Sequence, residues 1–177
     1  MKTKTCYRIL GIMSGTSLDG VDFADCKFSK GENWHYKIKK TQTIAYSKKW
    51  RERLRNLHKK SDKEIAKTNI DYGKYLAQLI IKFKDNSNLS FNYIASHGHT
   101  IFHQPEKGFT LQIGEGQTIA NFTQITTICD FRSLDISLGG EGAPLVPIGD
   151  LYLFSKYKYC INLGGFSNIS IKGQFAI

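Results

Sequence analysis

The chain has 177 residues, enough for one ordinary domain with a buried core, and 41% of them are hydrophobic. Its net charge of +10 suits anionic partners, but the basic residues concentrate between Lys27 and Lys84 without a recognisable RNA- or DNA-binding motif. No apolar run could cross a bilayer, the N-terminus is not typical of a secretion signal, and the four cysteines form no CxxC pair. We therefore expect a cytoplasmic protein with reduced thiols that binds neither membranes nor nucleic acid.

The first elements in chain order are three strands, predicted over residues 7–12, 21–29 and 34–44. Two amphipathic helices follow, because apolar residues recur at spacings of three and four over 48–59 and again over 61–83. The second helix opens on a sequence typical of a capping box, with Ser61 three residues before Glu64. This half of the chain predicts a meander that packs against helices.

The second half alternates short strands, at 91–96, 109–114 and 126–129, with a short helix at 115–122. A final strand–turn–strand over 159–171 resembles the opening of the chain. We therefore predict that residues 1–157 form one α/β domain and that residues 158–177 begin a second, similar one. Polar clusters after successive strands predict a ligand cleft at the carboxyl ends of the strands.

The turn after the first strand combines small, hydroxyl-bearing and acidic residues: Gly15, Thr16, Ser17, Leu18, Asp19, Gly20, Val21 and Asp22. Gly15 and Gly20 can adopt positive φ, and consecutive backbone amides in such a turn can bind a phosphate. Asp19 and Asp22 suit a hydrated divalent cation carried by a nucleotide. The same residues would also make a plain β-hairpin turn, and no P-loop lysine follows them.

A polar cluster follows the strand predicted at 91–96: Ser96, His97, Gly98, His99 and Thr100. Its imidazole and hydroxyl groups suit a loop that binds sugar hydroxyls or carboxylates. A metal site is a less favoured alternative, because no further ligand is suitably spaced from the two histidines. Histidines that only satisfy the loop's own hydrogen bonds are the remaining alternative.

A second polar cluster contains Arg132 between Asp130 and Asp135. A guanidinium held by a flanking carboxylate suits a ligand carboxylate or phosphate, although an internal ion pair would explain the same residues. The glycine-rich segment at 139–144 would either let the backbone approach a ligand or serve as a flexible connection.

Six segments together resemble the anhydro-N-acetylmuramic acid kinase family. They are residues 11–22 (GIMSGTSLDGVD), 96–100 (SHGHT), 112–114 (QIG), 130–132 (DFR), 139–147 (GGEGAPLVP) and 162–168 (NLGGFSN). Each segment alone is weak, but they occur in family order and, with the strand that begins at Arg8, span nearly the whole chain. The resemblance departs at His99, where the family usually has glutamine.

The resemblance implies an actin-like, ribonuclease H-like α/β domain, with a mixed sheet flanked by helices, from the actin and hexokinase superfamily. It implies ATP and Mg²⁺ as cofactors, and an amino sugar of cell-wall recycling as substrate. The family opens the anhydro bridge of anhydro-N-acetylmuramic acid with water and phosphorylates the freed 6-oxygen. Carried over by motif, the turn from Gly15 to Asp22 would bind the ATP phosphates. Ser96, His97, Gly98, Thr100 and Arg132 would line the sugar site, with Arg132 at the lactyl carboxylate.

The family's catalytic aspartate is expected beyond Ile177, so we expect this chain alone not to turn over. One alternative is a sugar- or nucleotide-binding module without catalysis. A basic nucleic-acid-binding domain is a third hypothesis, which strongly salt-dependent binding would support. The apolar face of an incomplete second domain would be exposed, and this predicts self-association.

Overall fold

The computed structural model describes residues 5–85, 89–163 and 167–173. The strands are β1 (Thr5–Ser14), β2 (Gly20–Lys30), β3 (Trp34–Ala45), β4 (Tyr93–Gln104), β5 (Phe109–Ile113), β6 (Thr127–Cys129), β7 (Tyr159–Asn162) and β8 (Asn168–Ile171). The helices are α1 (Lys48–Arg55), α2 (Asp62–Asp85), α3 (Gly116–Thr123), α4 (Ser133–Ser137) and α5 (Val146–Leu153), with short 3-10 turns at Leu57–Lys59 and Pro105–Lys107.

The main sheet is mixed and has the order β3-β2-β1-β4-β5. Strands β1, β2 and β3 form an antiparallel meander, and β4 lies parallel to β1. The other edge of β4 has two partners in succession: β6 pairs in parallel with Ile94–Ser96, and β5 pairs antiparallel from His99 to Gln104. The sheet, with helices packed on it, confirms the expected α/β fold of the actin-like type.

The core lies between the sheet and the helices α1 and α2. Alternate residues of β1 and β2, including Leu10, Val21 and Phe23, point to this side and are at most 1% exposed. Helix α2 faces them with Tyr72, Leu76, Ile80 and Phe83, which recur at helical spacing. The sequence periodicity therefore predicted both the elements and the faces they bury.

Helix α5 lies against the opposite face of the sheet at the β3 side, where the rings of Tyr36 and Phe154 are 5.8 Å apart. It is also tied to the small β7–β8 sheet, because Ser170 Oγ donates to Asp150 Oδ2 at 2.7 Å. The turn predicted at 164–166 lies outside the described residues. None of the helices in the described ranges is both long and apolar enough to cross a membrane.

Two helix starts are capped by serine side chains, of which Ser61 was predicted and Ser47 was not. Ser47 Oγ accepts from the Trp50 amide at 3.3 Å, and Ser61 Oγ accepts from the Glu64 amide at 3.4 Å. The helix predicted over 48–59 ends early, at Arg55, and continues only as the 3-10 turn Leu57–Lys59. Helices α4 and α5 were not predicted, because α4 is only five residues long and the segment forming α5 is apolar without clear periodicity.

Arg8 and Asp25 form a bidentate ion pair across β1 and β2, with N–O distances of 2.9 and 2.6 Å. The Asp25 side chain is 1% exposed and that of Arg8 34%. We expect Arg8→Met to lower the free energy of unfolding by about 2 kcal/mol, because it leaves a buried carboxylate unpaired; the value is reduced for the partial exposure of Arg8.

Urea unfolding of the parent chain, the single variant and a double variant tests this prediction. Because two apolar residues need no ion pair, Arg8→Met combined with Asp25→Leu should regain most of the lost stability. A single variant within about 0.5 kcal/mol of the parent, the range of a neutral surface substitution, would contradict the prediction.

Candidate active site

The turn predicted to bind phosphates, residues 15–19 between β1 and β2 and called the phosphate turn below, is tight and partly exposed. The Leu18 amide donates to the Gly15 carbonyl at 3.2 Å, and Leu18 itself adopts the left-handed conformation with φ of 60°. Gly15 and Gly20 can adopt positive φ, but neither lies in the left-handed region here. Gly20 is required for another reason: a Cβ there would lie 2.3 Å from the carbonyl oxygen of Ile44.

The two carboxylates of this segment, Asp19 and Asp22, are both exposed. The Asp19 carbonyl accepts from the Tyr46 amide at 3.3 Å, and the Asp22 carboxylate accepts from the Thr43 hydroxyl. Within the described ranges, no three histidine, cysteine or acidic side chains come together as a metal cluster. Exposed single carboxylates fit a Mg²⁺ ion that keeps most of its water and is held mainly by phosphates.

A buried hydrogen-bonded cluster lies directly beneath the turn. Ser14 Oγ is 2.5 Å from the Tyr46 hydroxyl, 3.0 Å from the Tyr72 hydroxyl and 3.0 Å from Nδ1 of His99. Burial raises the pKa of both tyrosines and lowers the pKa of His99 to about 4, with the nearby His97 contributing to the latter. All four groups are therefore neutral at physiological pH, and they join β1, α2, β4 and the residue after β3 at one point.

The predicted sugar-binding loop is not a loop, because β4 continues through it to Gln104. The hydrogen bonds to β5, which begins to pair at His99, extend the strand beyond the end that was predicted at Ser96. Between Ser96, paired with β6, and His99, paired with β5, the strand changes partners at His97 and Gly98. We call this place the fork of β4.

A cavity of about 180 Å³ opens at the fork, between β4, β5 and the residues after β6. Ser96, His97, Gly98, Gln112, Glu115 and Asp130 are among its lining residues. Two of its lining residues, Ser96 and Gln112, each have a buried side-chain oxygen, Oγ and Oε1 respectively, with no hydrogen-bond partner among the described residues. Such atoms cost free energy unless something binds them, so the fork cavity fits a polar ligand. Gln112 was part of a quoted motif but was not predicted as a site residue.

Arg132 contacts His97 rather than either flanking aspartate. Its Nε and Nη2 lie 3.1 and 2.9 Å from Nε2 of His97, and its Nη1 donates to the Gly142 carbonyl at 2.6 Å. His97 Nδ1 is 3.0 Å from the Gly98 carbonyl, so Nδ1 carries the proton and Nε2 accepts from the guanidinium. Burial lowers the pKa of His97, and the positive charge of Arg132 lowers it further.

The two aspartates bind backbone and hydroxyl groups instead. Asp130 accepts from the Ser133 amide and hydroxyl at 3.3 and 2.6 Å, and Asp135 accepts from the Gly142 amide at 2.7 Å. The idea of an internal ion pair around Arg132 was therefore wrong for the described residues. The glycine-rich segment is not a free connection either, because Gly142 bonds back to both Arg132 and Asp135.

A larger cavity of about 650 Å³ lies on the second face of the sheet, opposite the core. Its floor contains Gly11, which pairs with Ala24 on one side and Ala95 on the other. Asp22 lines it at one end and His97 at the other. The structure thus brings Ser96, His97, Gly98 and Arg132 together, whereas Thr100 lies apart from them, beside Thr16 and Leu18 of the phosphate turn.

Comparison with known proteins identifies the family of this chain. A family model described as anhydro-N-acetylmuramic acid kinase matches residues 7–173. Proteins of that name from Acinetobacter baylyi and Pseudomonas fluorescens are 37% and 39% identical over 171 residues, which is 92% of this chain. The alignments cover 44% and 46% of those two proteins, so the chain spans about half the length of the relatives it matches. This chain belongs to the anhydro-N-acetylmuramic acid kinase family.

Proposed function

We propose that this chain forms one side of the cleft of a sugar kinase that acts on anhydro-N-acetylmuramic acid. The reaction would use ATP and water and yield N-acetylmuramic acid 6-phosphate and ADP, as part of cell-wall recycling in the cytoplasm. Family membership supports the reaction, and the fork cavity carries the argument for a sugar. Two of its lining residues have an unpartnered buried oxygen, Ser96 Oγ and Gln112 Oε1. These oxygens would accept hydrogen bonds from hydroxyl or amide groups, which an amino sugar has.

The nucleotide would bind at the segment from Gly15 to Asp22. Its exposed hydroxyls, Thr16 and Ser17, and the amides of the turn would bind phosphate oxygens, while Asp19 and Asp22 would bind water molecules of a Mg²⁺ ion. When bound, Mg²⁺ would neutralise charge on the transferred phosphate. The close packing of Gly20 against Ile44 and the buried cluster under the turn would hold these groups in place.

The sugar would bind at the fork, with Ser96, His97, Gly98 and Arg132 around it and Thr100 towards the phosphates. A guanidinium has five N–H groups, and His97 and the Gly142 carbonyl occupy three of them in Arg132. The two remaining N–H groups can donate to the two oxygens of a carboxylate. Because Arg132 is half-buried beside an apolar floor, a lactyl carboxylate bound there would be well shielded from water.

We expect Arg132→Ala to weaken binding of anhydro-N-acetylmuramic acid about tenfold or more, because a charge-assisted contact of this kind contributes about 1.5–3 kcal/mol. Isothermal titration calorimetry with the sugar measures the loss, and ATP affinity should stay unchanged. The matched control is the anhydro sugar without the lactyl group, whose affinity should not depend on Arg132. A variant that keeps its affinity for the lactyl-bearing sugar would rule out this role.

The remaining proposals concern the rest of the cleft. The antiparallel pair β7–β8 would begin a second domain. Its outer residues Ile161, Ile169 and Ile171 are all more than half exposed, which favours self-association of this chain.

The relatives are about twice as long, and we propose that the aspartate that activates water belongs to that further length. The chain alone should then show no sugar-dependent release of ADP; turnover at enzyme-like rates would refute this.

A further inference from the structure

A separate cavity of about 240 Å³ lies between the phosphate turn, the end of α1 and β4. It is lined by Thr16, Leu18, Leu54, Arg55, His58, His99, Thr100 and Ile101. The set contains two hydroxyls, two imidazoles and a guanidinium but no acidic side chain. A cavity that offers hydrogen-bond donors and has no negatively charged side chain suits an anion.

The phosphate turn itself needs a cation from elsewhere. The segment from Gly15 to Asp22 contains two carboxylates and no lysine or arginine. Triphosphate is strongly anionic, and backbone amides supply only partial positive charge. Among the residues that line this cavity together with the turn, Arg55 is the permanently charged cation. His99 cannot contribute charge at physiological pH, since burial lowers its pKa to about 4.

The backbone of Arg55 is anchored, and its exposed side chain is not paired with a carboxylate among the described residues. Its neighbours Leu54 and Leu57 are 3% and 2% exposed, so the backbone on both sides of Arg55 is anchored in the core. On the same helix, Arg53 is paired with Asp71 at 2.7 Å, whereas no such pair involves Arg55 in the part of the chain described. The carbonyl groups at the end of α1 are equivalent to about half a negative charge and repel an anion. The full positive charge of Arg55 outweighs this repulsion.

We propose that Arg55, together with Thr16 and Thr100, forms a phosphate-binding subsite beside the turn. This inference rests on the proposed kinase function, because it assigns the nucleotide's terminal phosphates to the subsite. A sugar phosphate has the same terminal chemistry, and the experiment therefore tests both sources. His58 lines the same cavity and offers a further N–H donor.

The experiment is calorimetric titration of this chain with inorganic tripolyphosphate in the presence of Mg²⁺, and separately with N-acetylmuramic acid 6-phosphate. Arg55→Ala should weaken tripolyphosphate binding about tenfold, equivalent to about 1.4 kcal/mol. The matched control is Arg51→Ala, one turn earlier on the exposed surface of α1 and outside the cavity, which should change the affinity less than about twofold. Far-ultraviolet circular dichroism of both variants verifies that α1 is intact.

The outcomes separate this inference from the proposed function. If the parent chain binds ATP and tripolyphosphate but Arg55→Ala and Arg51→Ala bind them equally well, the subsite is refuted and the kinase proposal stands. If the parent chain binds neither ATP nor tripolyphosphate, both are refuted. A loss confined to N-acetylmuramic acid 6-phosphate would support the subsite and assign it to the phosphate of the product.

Discussion

Replacing Gly98 with alanine is expected to lower the free energy of unfolding by about 4 kcal/mol. Gly98 has φ of 73°, a conformation that costs an L-residue about 1–2 kcal/mol. In addition, a Cβ there would lie 2.4 Å from the carbonyl oxygen of Ile113, so β5 must move away from β4. A forced fit of this kind costs about 1–3 kcal/mol.

The chain offers a matched control for the backbone term. Gly108 has a similar φ of 66°, but nothing lies within 4 Å of a Cβ built on it. Gly108→Ala should therefore cost only about 1 kcal/mol. Urea unfolding of both variants gives the difference, which measures the contact between β4 and β5 at the fork. Equal losses for the two variants would show that β5 accommodates a Cβ and that the fork is not tightly packed.

The second large effect is a loss of stability at mildly acidic pH caused by His99. The side chain is 3% exposed, and burial is the main cause of its lowered pKa of about 4 in the folded protein. An unfolded histidine has a pKa of about 6.5, so between these values the unfolded chain binds a proton that the folded chain does not. Stability is therefore highest above pH 6.5 and decreases as the pH falls towards 4, by about 3 kcal/mol in total.

Urea unfolding between pH 7 and pH 5 measures this, because about 2 kcal/mol of the loss falls in that range. His99→Gln should remove most of it, since glutamine can bond to Ser14 without binding a proton. The lowered pKa of His97 acts in the same direction, so a smaller slope should remain. The control is the exposed His35→Gln, which should keep the full pH dependence. A parent slope that survives unchanged in His99→Gln would contradict the prediction.

The elements of the first half could be predicted because their signals are local. Alternation in β1 and β2, helical spacing in α2 and the capping residue Ser61 all depend on residues close in sequence. The segment from Gly15 to Asp22 was likewise identified from its composition alone. Its role at the phosphates and the boundary between domains remain predictions.

The arrangement of the site depended on residues far apart in sequence. The end of β4 was misplaced because the signal at Gly98 is that of a loop, whereas hydrogen bonds to β5 extend the strand. The partner of Arg132 was misjudged for the same reason: two aspartates lie within three residues of it, yet the fold brings His97 to it from 35 positions away. The buried cluster of Ser14, Tyr46, Tyr72 and His99 likewise joins four separate segments.

The sequence by itself thus determined the fold class, the early elements and which segments carry polar side chains, because hydrophobic period and turn chemistry act over a few residues. Only the tertiary structure decided which polar atoms pair with each other and which have no partner among the described residues. Ser96 and Gln112, each of which has such an atom, line one cavity because β4 changes neighbours between β6 and β5. That change arises from strand pairing across the sheet, which no local pattern encodes.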